Sequence, residues 1–436
     1  DLHSFPTRRS SDLEPVSVGI DFGTTNSVVA IAGAAGDVTV ARHEPGGSSN
    51  FRSILCFVKG KTNFEGPAIT AGPEAIAAYL DHGSDCRLIQ SVKSMAANPN
   101  FASTLIFSRR YTIEDLIALV LQGVRASSER HLAPLGDAAI AGRPVRFAGQ
   151  FADEDLALKR LSEAFALAGF ERIEFVAEPL AAAYKFASRI TTPQICVIAD
   201  FGGGTSDFSL VRFRPEGERL AMDTLGASGI AGDRLDFRIV EHAVCPKLGL
   251  GTNYVSMGKR LPIPSHYYAR FQRWSDLSFL RTAETFRELR TLKRMAEDPD
   301  AIGRLIYIIE EEFGFDLYRA VSATKTALSS ADSAVLEFRH GPVQIGETIT
   351  RAAFEGWIAE DLAAIGEQAG RLFEESDLGS AQVDHVFLTG GTSFVPAIRA
   401  LMAARFPSAK FSAEDEFISV ASGLALFGRE RAGMAA

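Results

Sequence analysis

VGIDFGTTNSVVAI, residues 18–31, decides the fold of this 436-residue chain. An apolar run ends in Asp21, the chain turns through Phe22, Gly23 and two threonines, and a second apolar run follows. Runs rich in β-branched residues on either side of a short polar turn are typical of a β-hairpin. A third run, VTVAR at 38–42, extends the predicted hairpin into a three-stranded meander.

The same design occurs a second time in VIADFGGGTSDFSL, residues 197–210. An apolar run ends in Asp200, a phenylalanine and three glycines follow, and Thr205 leads into the next run. The run RLAMDTL at 219–225 then supplies a third strand. Helical patterns follow each three-stranded unit, so the duplication predicts two similar α/β lobes whose turns face each other across a cleft.

The bulk composition is that of an average globular protein and argues against several classes. Hydrophobic residues make up 46% of the chain and charged residues 23%, with a formal net charge of −9, whereas proteins that bind nucleic acids usually carry a basic face. The four cysteines form no CxxC spacing and are typical of buried residues in a reducing compartment. No apolar run approaches the roughly 18 residues of a membrane helix. We therefore expect a cytoplasmic protein that binds neither nucleic acid nor membranes.

The length exceeds one ordinary core, and the duplication sets the expected boundaries. The polar segment 1–13 resembles a translated sequencing adapter and is excluded from the fold. We expect a first lobe over 14–195 and a second over 196–428, with a more helical insertion at 245–330 and a tail at 429–436. Apolar periodicity predicts the main helices at 74–82, 113–129, 153–170, 232–244 and 350–375.

The two glycine turns have the chemistry of a phosphate site. Backbone N–H groups and threonine hydroxyls in such turns cradle phosphate oxygens. An aspartate at the end of each preceding strand offers oxygen ligands to the Mg²⁺ that accompanies a triphosphate. A single turn of this kind is as compatible with a plain tight turn, but two copies with the same Asp-Phe-Gly order favour a nucleotide site.

Three other nucleotide motifs are not supported. ADFG at 199–202 is the order found in protein kinases, but no HRD-type loop or V-A-I-K-like strand accompanies it. No G-x-x-x-x-G-K-[ST] string is present, which excludes the P-loop class. GASGIAGD at 226–233 lacks the strand, helix and ribose-binding acid that frame a dinucleotide fingerprint.

Five motifs, in this order, give the chain a family resemblance: GIDFGTTNS (19–27), EPLAAAY (178–184), VIADFGGGTSDFSL (197–210), GIAGDRLD (229–236) and VFLTGGTSFVPAI (386–398). Together they resemble the nucleotide-binding domain of the heat shock protein 70 family over roughly residues 16–428, and most closely its short, YegD-like members. The resemblance implies an actin-like ATPase fold, with two ribonuclease-H-like lobes around an ATP cleft.

The resemblance also implies roles for individual residues. Lys93 is similar to the family's lysine near the attacking water, and Glu178 to the carboxylate that positions water or metal. Asp21 and Asp200 resemble the pair that organises Mg²⁺, and Thr205 helps to order the water. The implied nucleotide contacts are Gly23, Thr24, Thr25, Asn26, Gly202, Gly203, Gly204 and Thr205 for phosphates, and Gly232, Asp233, Lys325, Gly390, Gly391 and Phe394 for adenosine.

Without the resemblance, two of these residues have simpler interpretations. A single lysine such as Lys93 is usually a solvated charge. Glu178 precedes Pro179 at a predicted helix start, where the helix dipole favours an acid. Ala181, Ala182 and Ala183 are small enough for this helix to pass closely between the lobes.

The chain departs from the family pattern at the predicted adenine pocket and at its end. Ser322 and Thr326 stand where the family has Glu and Arg, and Phe394 replaces a second adenine-stacking Arg. We therefore expect weaker adenine binding, with the Phe394 ring able to stack on the base. The motifs end near residue 428, so we expect no peptide-binding domain of the family's kind.

The sequence favours an ATP-binding, slowly hydrolysing molecular switch with ATP, ADP and Mg²⁺ as ligands and co-chaperone-like proteins as partners. An actin-like filament subunit, a small-molecule kinase of the same superfold and a nucleotide sensor stay open as alternatives. RLPIPSHYYARFQRW (260–274) is rich in aromatic and basic residues, and we expect a segment packed on its own insertion more than a partner surface.

Overall fold

The computed structural model describes residues 16–43, 47–60, 66–82, 85–145, 147, 152–187, 191–213, 219–228, 230–272, 276–277, 280–311, 313–374, 378–412 and 419–435. At 183, 185–187, 205, 219–228, 412, 419 and 433–435 it describes the backbone alone.

The strands of the described chain are β1 (Ser17–Phe22), β2 (Asn26–Ala32), β3 (Val38–Val40), β4 (Phe51–Arg52), β5 (Ile54–Val58), β6 (Ala68–Ala71), β7 (Cys86–Gln90), β8 (Ser103–Ile106), β9 (Arg109–Thr112), β10 (Ala138–Arg143), β11 (Arg172–Ala177), β12 (Gln194–Phe201), β13 (Thr205–Phe213), β14 (Arg219–Ser228), β15 (Asn253–Ser256), β16 (Lys259–Pro262), β17 (Ser333–His340), β18 (Val343–Thr350), β19 (His385–Thr389) and β20 (Lys410–Ser412).

The helices are α1 (Pro73–His82), α2 (Ile113–Glu129), α3 (Glu154–Leu167), α4 (Glu178–Ala187), α5 (Gly232–Ile239), α6 (His266–Ala269), α7 (Ala283–Met295), α8 (Pro299–Glu310), α9 (Gly314–Leu328), α10 (Arg351–Trp357), α11 (Ala359–Arg371), α12 (Pro396–Arg405) and α13 (Ser419–Ala435).

Two central sheets repeat one topology. The first has the strand order β11-β10-β1-β2-β3, and the second has the order β14-β13-β12-β19-β20. In each sheet an antiparallel meander places its first strand beside two parallel strands, β10 and β11 in the first sheet and β19 and β20 in the second. The duplicated α/β fold predicted from the two glycine turns is thereby confirmed.

Local sequence signals explain the helices that cover the first sheet. Thr112 caps α2, because its hydroxyl accepts from the Asp115 N–H while the Asp115 carboxylate accepts from the Thr112 N–H. Asp153 caps α3 through the Leu156 N–H. The predicted apolar stripe of α2 is buried in the core of this lobe, and includes Leu116, Val120 and Val124.

Helices α4 and α13 lie between the two sheets. A methyl group on Gly423 of α13 would overlap the carbonyl oxygen of Ala181 in α4, so these helices touch at backbone distance. Ala421 and Ala425 pack on Val28 and Ala30 of β2. The helix α13 spans Ser419–Ala435, across the expected boundary between the second lobe and the tail at 428/429, and its residues pack on both sheets.

The second lobe differs from its predicted outline in the helix before β19. The predicted helix 350–375 is two helices, α10 and α11, on either side of Ile358. Within the segment 260–274, Tyr267, Tyr268 and Phe271 are buried in the lobe's core, whereas Arg260, Leu261 and Pro262 are exposed. Residues 273–275 lie outside the described chain.

The structure also bears on the cysteines and on membrane insertion. All four cysteines are buried, and none forms a disulfide. Among the described helices, none has the length and apolar character needed to cross a bilayer.

Candidate functional site

A cleft of about 790 Å³ opens between the two sheets, within the size range of small-molecule sites. Strands β1 and β12 end at it and carry Asp21 and Asp200 to its floor. The predicted site residues that line it are Asp21, Gly23, Thr24, Thr25, Asn26, Lys93, Glu178, Asp200, Gly202, Gly203, Gly204, Gly232, Asp233, Lys325, Gly390, Gly391 and Phe394. Thr205 begins β13, but its side chain lies outside the description.

The two glycine turns face each other across this cleft. A methyl group placed on Gly203 of the second turn would lie 2.6 Å from Thr25 Oγ1 of the first turn and 3.2 Å from Asp233 Oδ1. The second turn is fixed to the start of α5, because the Asp233 N–H donates to the Gly203 carbonyl at 2.8 Å and the Gly232 N–H to the Gly202 carbonyl at 3.1 Å. Glycine at 203 therefore keeps open the space between the turns.

One end of the cleft holds a lysine and a glutamate in direct contact. Lys93 lies in a short 3₁₀ turn shortly after β7, and Glu178 is the first residue of α4, directly after β11. The Lys93 Nζ donates to Glu178 Oε1 at 2.7 Å, and both side chains are largely buried. The ammonium also lies 5.9 Å from the centre of the Phe22 ring, next to Asp21 in sequence. Two residues 85 positions apart thus form one ion pair beside the aspartates.

The two aspartates have raised pKa values. Burial and the nearby Glu178 carboxylate raise the pKa of Asp21 to about 8, although the Lys93 ammonium opposes them. Burial and Glu178 also raise the pKa of Asp200, to about 6, while the neighbouring Thr389 side chain lowers it in part. Carboxylates crowded in this way bind a cation favourably, since a cation offsets their mutual repulsion.

The donor set fits Mg²⁺ better than a metal held by protein ligands alone. Within the described chain, no group of three or more His, Cys, Asp or Glu residues is placed to hold a metal ion. Mg²⁺ usually takes one or two carboxylates together with water and substrate phosphates. Asp21 and Asp200, flanked by the two glycine turns, match that pattern.

The second half forms the other wall of the cleft. Lys325 of α9 lies 2.9 Å from Asp236 Oδ1 of α5 and donates to the Gly232 carbonyl at 3.3 Å. Gly390, with φ of +80°, leaves no room for a side chain, because a methyl group there would meet the Phe201 carbonyl. Phe394 is 47% exposed, with the Arg399 guanidinium 5.6 Å from its ring centre. An exposed ring in a cleft wall is a surface on which a base can stack.

At the positions that depart from the family pattern, the wall is rich in hydroxyl groups. Thr326 donates its hydroxyl to the Ser322 carbonyl of the preceding helical turn at 2.8 Å. Ser322, Thr326 and Ser329 all line the cleft on one side of α9. The helix therefore offers small polar groups at the two positions where the family pattern has glutamate and arginine.

Sequence reasoning missed several residues that also line the cleft: Arg52, Ser94, Pro144, Phe147, Asp207, Asp236, Thr389 and Thr392. Asp207 lies directly opposite Asp200 in the β12–β13 ladder, so the hairpin register could have identified it. Thr389 is the parallel neighbour of Asp200 on β19. Arg52 lies on the two-residue strand β4, which has too few residues for a periodic signal.

A comparison with protein-family models gives one family. The model described as "Hsp70 protein" matches residues 88–247 and 313–433. The matched segments contain Lys93, Glu178, the second glycine turn, the start of α5 and Phe394, whereas the first turn and residues 248–312 lie outside them. The match covers more than half of the chain. This protein therefore belongs to the Hsp70 family, whose members are ATP-binding chaperone-family proteins with an actin-like ATPase fold.

Proposed function

We propose that the protein binds ATP together with Mg²⁺ in this cleft, hydrolyses it slowly and acts as a nucleotide-dependent switch. The observation that carries the proposal is the placement of two facing glycine turns, each beside a strand-end aspartate, next to the Lys93–Glu178 ion pair. The turns offer N–H donors to the phosphates, and the aspartates are the groups that would hold Mg²⁺. Bound Mg²⁺ would neutralise charge on the β- and γ-phosphates.

The protein's own groups then have distinct tasks. The Glu178 carboxylate orients a water molecule for attack on the γ-phosphate and accepts its proton, while Lys93 fixes that carboxylate at 2.7 Å. The N–H groups of the glycine turns stabilise charge on the transferred phosphoryl group. Positioning and charge stabilisation of this kind are what phosphoryl transfer requires.

The packing between the sheets supports a role as a switch. Ala181 of α4, Val420 and Leu424 of α13, and Ile198 of β12 form a single apolar cluster that joins the halves. Because each half supplies one glycine turn, a nucleotide bound to both turns favours the closed arrangement of the halves.

Isothermal titration calorimetry with ATP and Mg²⁺ tests the proposal. We expect heat of binding, thermal stabilisation at millimolar ATP and slow release of phosphate from the purified protein. Asp200→Asn should weaken the Mg²⁺ dependence of binding while leaving the fold intact. If the parent protein shows no heat of binding and no thermal stabilisation, ATP is excluded as the ligand. An Asp200→Asn variant that binds and hydrolyses ATP like the parent would contradict the assignment of Asp200 to Mg²⁺.

A further inference from the structure

Arg52 is fixed to the first glycine turn by the backbone on both sides of it. Strand β4 pairs with the start of β2, so that Arg52 lies directly opposite Asn26. The next residue, Ser53, donates its N–H to the Thr25 carbonyl at 2.9 Å, and its hydroxyl lies 2.9 Å from that of Ser27. The Arg52 side chain is exposed and lines the cleft. Its guanidinium therefore belongs to the wall that presents the first turn.

Arg52 also lies at the Lys93 end of the molecule. Strand β5 begins at Ile54, two residues after Arg52, and Ile54 pairs with Gln90 at the end of β7. Lys93 follows Gln90 by three residues. The chain segments that carry Arg52 and Lys93 therefore leave neighbouring strands at the same end of one small sheet.

The charges in the cleft give an arginine at this place a function. The described lining residues include six carboxylates, Asp21, Glu178, Asp200, Asp207, Asp233 and Asp236, and three cations, Arg52, Lys93 and Lys325. A polyphosphate is repelled by such an excess of carboxylates, so a cation is needed where its own charge is greatest.

The two walls of the cleft decide which part of the ligand Arg52 meets. Phe394, Lys325 and Thr326, the residues expected to face the nucleoside, all come from the second half of the chain. Lys93, Glu178 and the first turn come from the first half. Arg52 lies on the first wall, and a planar guanidinium binds two phosphate oxygens at once. We propose that Arg52 is a further specificity-determining residue of this site, whose guanidinium binds the terminal phosphate of ATP. The assignment rests on the proposed function and implies that the cleft prefers nucleoside triphosphate over diphosphate.

Calorimetric titrations with ATP and with ADP, each with Mg²⁺, test the assignment in the full-length parent, Arg52→Ala and Arg52→Lys. Arg52→Ala should bind ATP about tenfold more weakly, as expected for loss of a charge-assisted contact, while the affinity for ADP changes by less than about twofold. Arg52→Lys should fall between the two, because it keeps the charge and loses the planar fork. Arg110→Ala is the matched control, since this exposed arginine of β9 bonds Ser103 and does not line the cleft.

The outcomes separate this inference from the proposed function. If the parent protein binds neither ATP nor ADP, both the Arg52 assignment and the proposed function are wrong. Equal weakening of ATP and ADP in Arg52→Ala, or no weakening of either, overturns the terminal-phosphate contact while leaving ATP binding in place. If Arg52→Ala melts well below the parent, Arg52→Lys alone decides. A lower ratio of ATP to ADP affinity than in the parent supports the assignment, and a parent-like ratio overturns it.

Discussion

The two halves of the molecule have the same sheet topology but line the cleft with different chemistry. In both halves an antiparallel meander and two parallel strands carry an aspartate to the cleft floor. The first half adds the Lys93–Glu178 ion pair, whereas the second adds Lys325 and the exposed ring of Phe394. One architecture thus presents groups suited to chemistry on one side and groups suited to ligand recognition on the other.

The residue on the neighbouring strand differs beside the two aspartates. Asp200 has Thr389 beside it on the parallel strand β19, and the Thr389 hydroxyl lowers its pKa. The corresponding neighbour of Asp21 is Gly142, which follows the Ala141 partner of Ile20 on β10. A methyl group on Gly142 would lie 3.0 Å from Glu178 Cγ.

Glycine in the first half therefore leaves room for a carboxylate, where threonine in the second half places a hydroxyl beside the aspartate. The consequence is visible in the pKa values, which Glu178 and burial raise to about 8 for Asp21 but only to about 6 for Asp200. The repeated fold fixes where the aspartates lie, whereas burial, Glu178 and the neighbour on the adjacent strand together set their pKa values.

The largest expected effect comes from the first half. Lys93→Ala should lower turnover by about 100-fold, in the range of positioned acid–base groups, because Glu178 loses the ammonium that fixes it. Nucleotide affinity should change far less, since the proposed role lies in the transition state. Single-turnover hydrolysis together with calorimetry measures both quantities.

Lys159→Ala is the control for this substitution, because Lys159 is 72% exposed and lies on α3 outside the cleft. Equal losses of turnover and affinity in Lys93→Ala would show that Lys93 binds phosphate in the ground state, as proposed for the second glycine turn. Unchanged turnover would make the Lys93–Glu178 ion pair a purely structural contact and remove the asymmetry between the halves.

The pH dependence of stability tests the two aspartates. Their folded-state pKa values, about 8 and about 6, lie above the ordinary 3.8, so the folded protein holds protons that the unfolded chain releases. The free energy of unfolding of the nucleotide-free protein should therefore fall as the pH rises through this range. Asp21→Asn should remove the part of the slope between about pH 6 and pH 8, where Asp200 no longer contributes, and stabilise the protein at pH 8 by at least about 1 kcal/mol.

Urea unfolding at pH 5, 6.5 and 8 without nucleotide checks this expectation, with the exposed Asp81→Asn as control. The difference between the parent and Asp21→Asn should be smallest at pH 5, because the loss of stability begins at the unfolded-state pKa of 3.8 and grows up to the folded-state value of about 8. A parent whose stability does not decline between pH 6.5 and 8 would contradict the proposed difference between Asp21 and Asp200.

Much of this comparison could be predicted from sequence, because the duplicated motif combines β-branched runs with glycine turns at fixed offsets from an aspartate. Strand β10, which carries Gly142, could not, since AAIAGR has little strand propensity and is defined by its parallel pairing with β1. Glu178 and Lys93 were assigned from motifs, but their 2.7 Å contact across 85 positions depends on how β7 and α4 meet. The packing of α13 on the first sheet likewise depends on tertiary fit at Ala421 and Gly423.

A smaller effect is expected from Phe394, in the wall of the cleft that the second half forms. Phe394→Ala should weaken ATP binding by about tenfold if the ring stacks on the base, given the usual energy of base–aromatic stacking. Turnover of bound ATP should stay close to that of the parent. Because serine and threonine replace charged groups on α9, ATP and GTP should bind with similar affinity.

Dissociation constants for ATP and GTP in the parent and Phe394→Ala measure this effect, and Phe394→Leu serves as a control that keeps an apolar side chain. A strong preference for ATP that survives Phe394→Ala would show that the base is recognised elsewhere. Loss of thermal stability without loss of affinity would make Phe394 a packing residue.

The smallest effect is expected where the two halves touch. Tyr79 of α1 contacts Phe315 of α9 edge to face, with ring centres 6.3 Å apart, and Asp316 and Arg281 of the second half act on the pKa of Tyr79, which burial raises to about 12. The contact joins helices from opposite halves, so it favours the closed cleft.

Tyr79→Ala should release bound nucleotide about threefold faster, in line with the modest energy of one aromatic pair, while single-turnover hydrolysis stays unchanged. Stopped-flow release of a fluorescent ADP analogue measures the rate, and Tyr79→Phe, which keeps the ring, should release it like the parent. If Tyr79→Ala also releases nucleotide at the parental rate, closure depends on the nucleotide and on the α4–α13 packing rather than on this contact.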